Sequence, residues 1–282
     1  MIKIVECPRD AMQGISEFIP TEKKIQYLNA LIKVGFDTLD FGSFVSPKAI
    51  PQLADTNEVL ANLDLENSKT KLLAIIANVR GAESALSHSE ISYLGFPFSL
   101  SETFQQRNTN ASREQAFESI KTIQNYCVNA NRELVVYLSM GFGNPYGDVW
   151  NAEEVKNWVE KFVAIDVKII SLADTVGTAK DADIELIFPS LIKQYPEIEF
   201  GAHLHSTKEN TSSKVSAALN SGCKRIDTAL LGYGGCPMAI DDLVGNVDTE
   251  TVIRILESKG LNVDLNLEKL SKAKSIAKEL FH

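Results

Sequence analysis

Leu72-Leu73-Ala74-Ile75-Ile76-Ala77 is an unbroken apolar run between Lys71 and Asn78. No polar residue alternates through it, so the segment has no face for solvent. Such a run suits a parallel strand covered on both sides. With its flanking lysine it spans 71–77, and seven further stretches read as strands: 2–6, 38–42, 90–95, 133–139, 168–172, 199–205 and 225–230. Helical periodicity fills the gaps at 21–34, 50–63, 81–87, 113–129, 152–165, 179–194, 208–220 and 249–258. Thr21, Asn151 and Asp181 are the candidate cap residues. Gly35, Gly222 and Gly260 follow helices, where a left-handed residue is wanted. Eight strand–helix repeats in strict alternation predict a (β/α)8 TIM barrel. A doubly wound open sheet is the alternative, but it rarely needs eight such repeats. A last helix over 267–281 makes 260–282 a C-terminal helical extension, and 1–282 reads as one domain without a linker.

The length of 282 residues and the 44% apolar content are ample for a barrel core. With 37 acidic and 28 basic side chains the net charge is -9. That argues against sequence-independent binding of nucleic acid, which needs a basic face. It leaves room for an anionic small molecule held by local cations. Cys7, Cys127, Cys223 and Cys236 have no C-x-x-C spacing, so reduced thiols and a cytoplasmic location are expected. The first residues read directly as a strand, and no run approaches membrane-spanning length.

In a TIM barrel the chemistry sits at the C-terminal ends of the strands. Four clusters fall there: Arg9-Asp10, Asp174-Thr175, His203-Leu204-His205, and Gly234-Gly235-Cys236-Pro237 running on to Gly245-Asn246. Residues two apart in a strand face the same way, so His-x-His aims two imidazoles at one point. Two nitrogens leave room for oxygen ligands, which Asp10 and Asn246 could supply. Such a mixed set is compatible with Mg²⁺ or Mn²⁺, and with Zn²⁺ or Co²⁺. Arg9 and Asp10, if extended, point apart, one towards a metal and the other towards a substrate oxygen. Cys236 lies between two glycines and a proline, an odd place for an apolar filler. An ordinary thiol there is mostly protonated at neutrality and can deliver a proton to carbon, or act as a nucleophile. Asp174 and Asp40 each read as a helix cap or as an active-site carboxylate.

Taken together, Arg-Asp after the first strand, His-x-His on the seventh and Gly-Asn after the eighth resemble the metal-dependent aldol/Claisen barrel superfamily, which includes the isopropylmalate and homocitrate synthases. Ser43-Phe44-Val45-Ser46-Pro47-Lys48 with Pro51-Gln52, and Gly234-Gly235-Cys236-Pro237, are similar to segments of the hydroxymethylglutaryl-CoA lyases. Ser171–Gly177 and Ser101-Glu102-Thr103-Phe104 with Arg107-Asn108 also fit. The resemblance implies cleavage of (S)-3-hydroxy-3-methylglutaryl-CoA to acetyl-CoA and acetoacetate, by an enzyme that is often a dimer. It implies Asp10, His203, His205 and Asn246 as ligands of Mg²⁺ or Mn²⁺, with Asp10 or His203 as the base. Arg9 would stabilise the enolate, Cys236 would protonate it, and Asp174 would orient the site. Asp40 stands where the family carries a glutamate, and Cys7 and Ala11 where it carries glycines. An acyl-CoA would also need cations at the mouth, for which Lys48, Arg80 and Arg107 are candidates.

Overall fold

Eight parallel strands close into a barrel in sequence order. They are β1 (Lys3–Glu6), β2 (Thr38–Ser43), β3 (Lys71–Ile75), β4 (Ile91–Ser99), β5 (Glu133–Ser139), β6 (Ile169–Ala173), β7 (Glu199–His203) and β8 (Arg225–Thr228). The structure is a computed structural model that describes residues 2–235 and 244–281. β8 pairs with β1, Val5 opposite Asp227 and Glu6 opposite Thr228, so no sheet edge is left open. The open-sheet alternative is thereby excluded.

Helices follow the strands: α1 (Pro8–Gln13), α2 (Thr21–Ile32), α3 (Thr56–Ala61), α4 (Val79–Leu86), α5 (Glu102–Thr109), α6 (Arg113–Asn129), α7 (Ala152–Ala164), α8 (Asp181–Gln194), α9 (Thr211–Asn220), α10 (Thr249–Ser258) and α11 (Leu267–Leu280). Apolar side chains fill two regions. One lies between strands and helices; the other lies inside the barrel and is built from Leu73, Ile75, Tyr93, Val135, Tyr137 and Ile169. No helix among the described residues is long and apolar enough to cross a membrane.

Several local expectations are corrected. The segment 50–63 is not one helix: a single 3-10 turn, Pro51–Leu53, precedes α3. Lys24 takes the Gln52 carbonyl and pairs with Asp55 at 2.8 Å, which diverts the chain between the two pieces. β4 runs past Pro97 instead of stopping before it. Its ladder to β3 ends at Gly95, so the N–H that proline lacks costs no bond there. Asn151 caps α7 as expected, accepting from the Glu154 N–H. Thr21 and Asp181 are instead the first helical residues, after Pro20 and Lys180. Gly35, Gly222 and Gly260 have φ of 89°, 89° and 69°, the left-handed stops expected of them.

Candidate active site

Pro8 opens α1, a six-residue helix directly after β1. Its fixed φ is already helical, and its missing N–H is one that a first turn leaves unbonded. The helix corrects the extended reading of Arg9-Asp10. Both side chains turn towards one cavity and touch, Arg9 Nη1 donating to Asp10 Oδ1 at 2.9 Å. Arg9 also grips Asp40 from Nη2 at 2.6 Å and from Nε at 3.0 Å. Gln13, unforeseen from sequence, accepts from Arg9 at 2.9 Å and donates to Asp10 at 2.7 Å.

His203 ends β7 and His205 follows it, with ring centroids 5.3 Å apart. Leu204 between them is packed in the outer core, as strand alternation requires. Each imidazole is held through Nδ1, His203 by Asp227 Oδ2 at 3.0 Å and His205 by the Thr175 carbonyl at 3.0 Å. Among the described residues His205 Nε2 is buried without a partner, 4.0 Å from Asp10 Oδ2. Ligand atoms of Asp10, His203 and His205 all lie within 4.8 Å of one another. Asn246 donates from Nδ2 to Asp10 Oδ2 at 2.7 Å, and its backbone bridges His205. An unpartnered buried nitrogen beside a carboxylate fits a divalent cation with mixed N/O ligands.

Electrostatics sharpen the cluster. Burial works to raise the Asp10 carboxyl, but Arg9, both imidazoles and Asn246 prevail and hold it at about 2. Asp40 is pushed up to about 6 by burial, against the pull of Arg9. Burial also lowers His205 and keeps it neutral, the form that offers a lone pair. His203 is raised: burial acts downward, and Asp227 outweighs it.

The cavity holds about 400 Å³ and is mostly apolar, with Arg9, Asp10, His203 and His205 at its base. Arg107 lines it too, stacked 4.8 Å from the Tyr146 ring centre. It arrives on α5, a helix absent from the sequence reading although Ser101 caps it by accepting from the Phe104 N–H. Lys48 and Arg80 are exposed and do not line this cavity.

Asp174 is not the cap of a following helix. It lies behind the site, paired with Lys214 of α9 at 2.7 Å and accepting from the Ala179 N–H. Cys236 lies outside the described residues, but the loop that leads to it starts at the cluster. Gly234 has φ of 108°, and a Cβ there would stand 2.3 Å from Asn246 Nδ2. Only glycine allows that approach.

The HMGL-like family profile matches residues 2–276. The hydroxymethylglutaryl-CoA lyase of Bacillus subtilis is 33% identical over 266 residues, 94% of this chain and 88% of that protein. The human mitochondrial hydroxymethylglutaryl-CoA lyase is 30% identical over 273 residues, 96% of this chain and 83% of that one. An HMG-CoA lyase structure from Acinetobacter baumannii, in complex with coenzyme A and 3-methylmalate, superposes with a TM-score of 0.92 at 29% identity. The match covers 100% of this chain and 91% of that one. With its closed barrel and its Arg9–Asp10–His203–His205 cluster, this chain belongs to the HMGL-like family.

Proposed function

We propose that this chain cleaves (S)-3-hydroxy-3-methylglutaryl-CoA to acetyl-CoA and acetoacetate by a cation-assisted retro-aldol reaction. One observation carries the reading: Arg9 and the Asp10–His203–His205 cluster meet at the base of one apolar cavity. Asp10, His203 and His205 would hold Mg²⁺ or Mn²⁺, with Zn²⁺ or Co²⁺ as further candidates, and Asn246 would complete the set through its side-chain oxygen. When bound, such a cation acidifies a hydroxyl and polarises a carbonyl oxygen.

The chain's own residues supply the rest. Arg9 is tied to Asp40, Asp10 and Gln13, so its charge is in place before the reaction starts. A fixed donor where negative charge develops on the thioester oxygen is worth roughly 3 kcal/mol. Asp10 or His203 takes the proton of the tertiary hydroxyl. Cys236 stands two residues after Gly234, which abuts Asn246, and returns a proton to the enolate carbon. Asp40 orients Arg9, and Asp174 acts through Lys214, which also holds the His205 carbonyl at 2.9 Å. Arg107, with Lys48 and Arg80 farther out, meets the phosphates of the CoA. Residues 1–282 act as one catalytic unit, with 260–282 as its extension, in a homodimer. Cys7, Cys127 and Cys223 are free and buried, which supports a reducing compartment such as the cytoplasm.

The deciding experiment is acetyl-CoA release from the hydroxymethylglutaryl thioester after EDTA treatment, with and without added Mn²⁺. Release should depend on the added cation. Arg9→Met and Cys236→Ser should each lower turnover by roughly two orders of magnitude or more while the protein stays folded. A full rate in EDTA, or near-full activity in either variant, rejects the assigned roles. A panel of other acyl-CoA thioesters and 2-oxo acids separates this substrate from those of a related lyase or condensing enzyme.

A further inference from the structure

Arg225 and Asp227 stand two apart on β8 and both point into the barrel, beneath His203. Asp227 is buried, and its only direct hydrogen bond among the described residues is the one that Oδ2 accepts from His203 Nδ1. Its other oxygen, Oδ1, has no partner among them. A buried carboxylate with one bond, to one imidazole, does little for packing and adds a desolvation cost. Arg225 is fully buried as well, and Nη1 reaches Glu199 at 3.2 Å. Its Nε and Nη2 have no hydrogen-bond partner among the described residues, and the Asp227 carboxylate stands two residues on, on the same face of β8. β7 makes room for this arginine. A Cβ on Gly201 would lie 3.1 Å from Arg225 Cδ and 2.8 Å from Ser171 Oγ. Gly201 is two residues before His203, on the same face of β7.

We propose that Asp227 and Arg225 are positioning residues for His203: Asp227 fixes its Nδ1–H tautomer and aims Nε2 at Asp10 and His205, and Arg225 holds Asp227 in place by charge. The inference rests on the cation-binding reading of the cluster but not on the identity of the substrate. His205 offers the contrast. Its Nδ1 donates to a neutral backbone carbonyl, whereas His203 has a carboxylate, which makes the imidazole a more basic ligand. The two nitrogens facing Asp10 are therefore unequal, and the difference comes from β8.

The test uses ¹⁵N-histidine-labelled protein, which has four histidines to resolve. His203→Gln identifies the His203 signals. Once the His203 ¹⁵N shifts no longer change with rising pH, so that the ring is neutral, the cation-free parent should show its proton on Nδ1. In Asp227→Asn the signals should move to a tautomer mixture, and in Arg225→Met they should shift in the same direction. Mn²⁺ titration calorimetry should give Asp227→Asn an affinity about 10- to 100-fold weaker than the parent's. A neutral parent His203 whose single proton sits on Nε2 overturns the proposal, and needs no variant to fold. So does an Asp227→Asn protein that binds Mn²⁺ as tightly as the parent. An unchanged His203 spectrum in Arg225→Met removes the arginine from it. None of these readouts requires turnover, so failure of the lyase reading would be seen separately.

Discussion

Glu6 is sealed between β1 and β8, where its carboxyl takes the Leu230 N–H at 2.7 Å and the Thr228 and Thr249 hydroxyls at 3.0 and 2.6 Å. Burial outweighs these three bonds and pushes its pKa up from 4.5 to about 7. Between those two values the unfolded chain releases the proton and the folded chain keeps it. Unfolding is therefore favoured as pH rises, and the stability present below 4.5 is lost by about pH 7. A shift of that size is worth about 3 kcal/mol. Glu6→Gln removes the titrating group. Urea unfolding at acid and at neutral pH should show the variant gaining on the parent by about that amount across the window. A difference that stays constant with pH would mean that Glu6 does not titrate there. At this scale the sequence was most legible where partners are close in the chain. His203 and His205 declare a shared face by spacing alone. Asp227 and Gln13 did not: the aspartate is 24 residues from His203, and the glutamine acts only because α1 folds it back onto Arg9.

The strands and long helices were legible because their burial is periodic or continuous, and α6 keeps its expected bounds of Arg113–Asn129. Two short helices were not. α1 has six residues, and α5, Glu102–Thr109, carries a single large apolar side chain, Phe104, so no apolar period emerges in either. Only their local punctuation, Pro8 and Ser101, gave a usable signal. These two helices nevertheless deliver Arg9, Asp10 and Arg107 to the cavity. Another connection between elements was equally hidden. Lys214 of α9 lies buried against Asp174 at the end of β6, and donates also to the Gly177 and His205 carbonyls at 2.9 Å. It joins α9, the segment after β6 and the end of β7. Lys214→Met would leave Asp174 buried without its counter-charge, at a cost of about 3–5 kcal/mol. Adding Asp174→Asn should recover a large part of the loss, because the stranded charge is then gone. Chemical denaturation of the two single variants and the double variant measures both. A Lys214→Met protein within about 1 kcal/mol of the parent would show that the pair contributes little.

On the scale of the whole molecule, the barrel places Arg9, Asp10, His203, His205 and Asn246 at one mouth, and the C-terminal helix reaches that mouth from outside. α11 buries Leu270, Ala273 and Ala277, packing against α2. After it, Phe281 meets Tyr27 of α2 edge-on at 5.9 Å and lies against Tyr233 at 4.7 Å. Tyr233 stands three residues before Cys236, and its carbonyl accepts from Asn246 at 3.0 Å. The last turn of the chain thus braces the start of the Gly234-Gly235-Cys236 stretch and, through Asn246, the carboxylate of Asp10. Phe281→Ala removes a half-buried ring, so the stability loss should be about 1–2 kcal/mol, below the 3–5 typical of a core phenylalanine. If the ring also braces the loop, turnover should fall by about ten-fold or more, with Mn²⁺ affinity reduced in parallel. Phe281→Leu should restore most of the stability but less of the turnover, because it fills the space without the flat contact to Tyr233. Thermal unfolding, Mn²⁺ titration and acetyl-CoA release on the two variants separate the outcomes. Parent-like turnover and cation affinity in a destabilised Phe281→Ala would reduce the extension to a structural cover for α2.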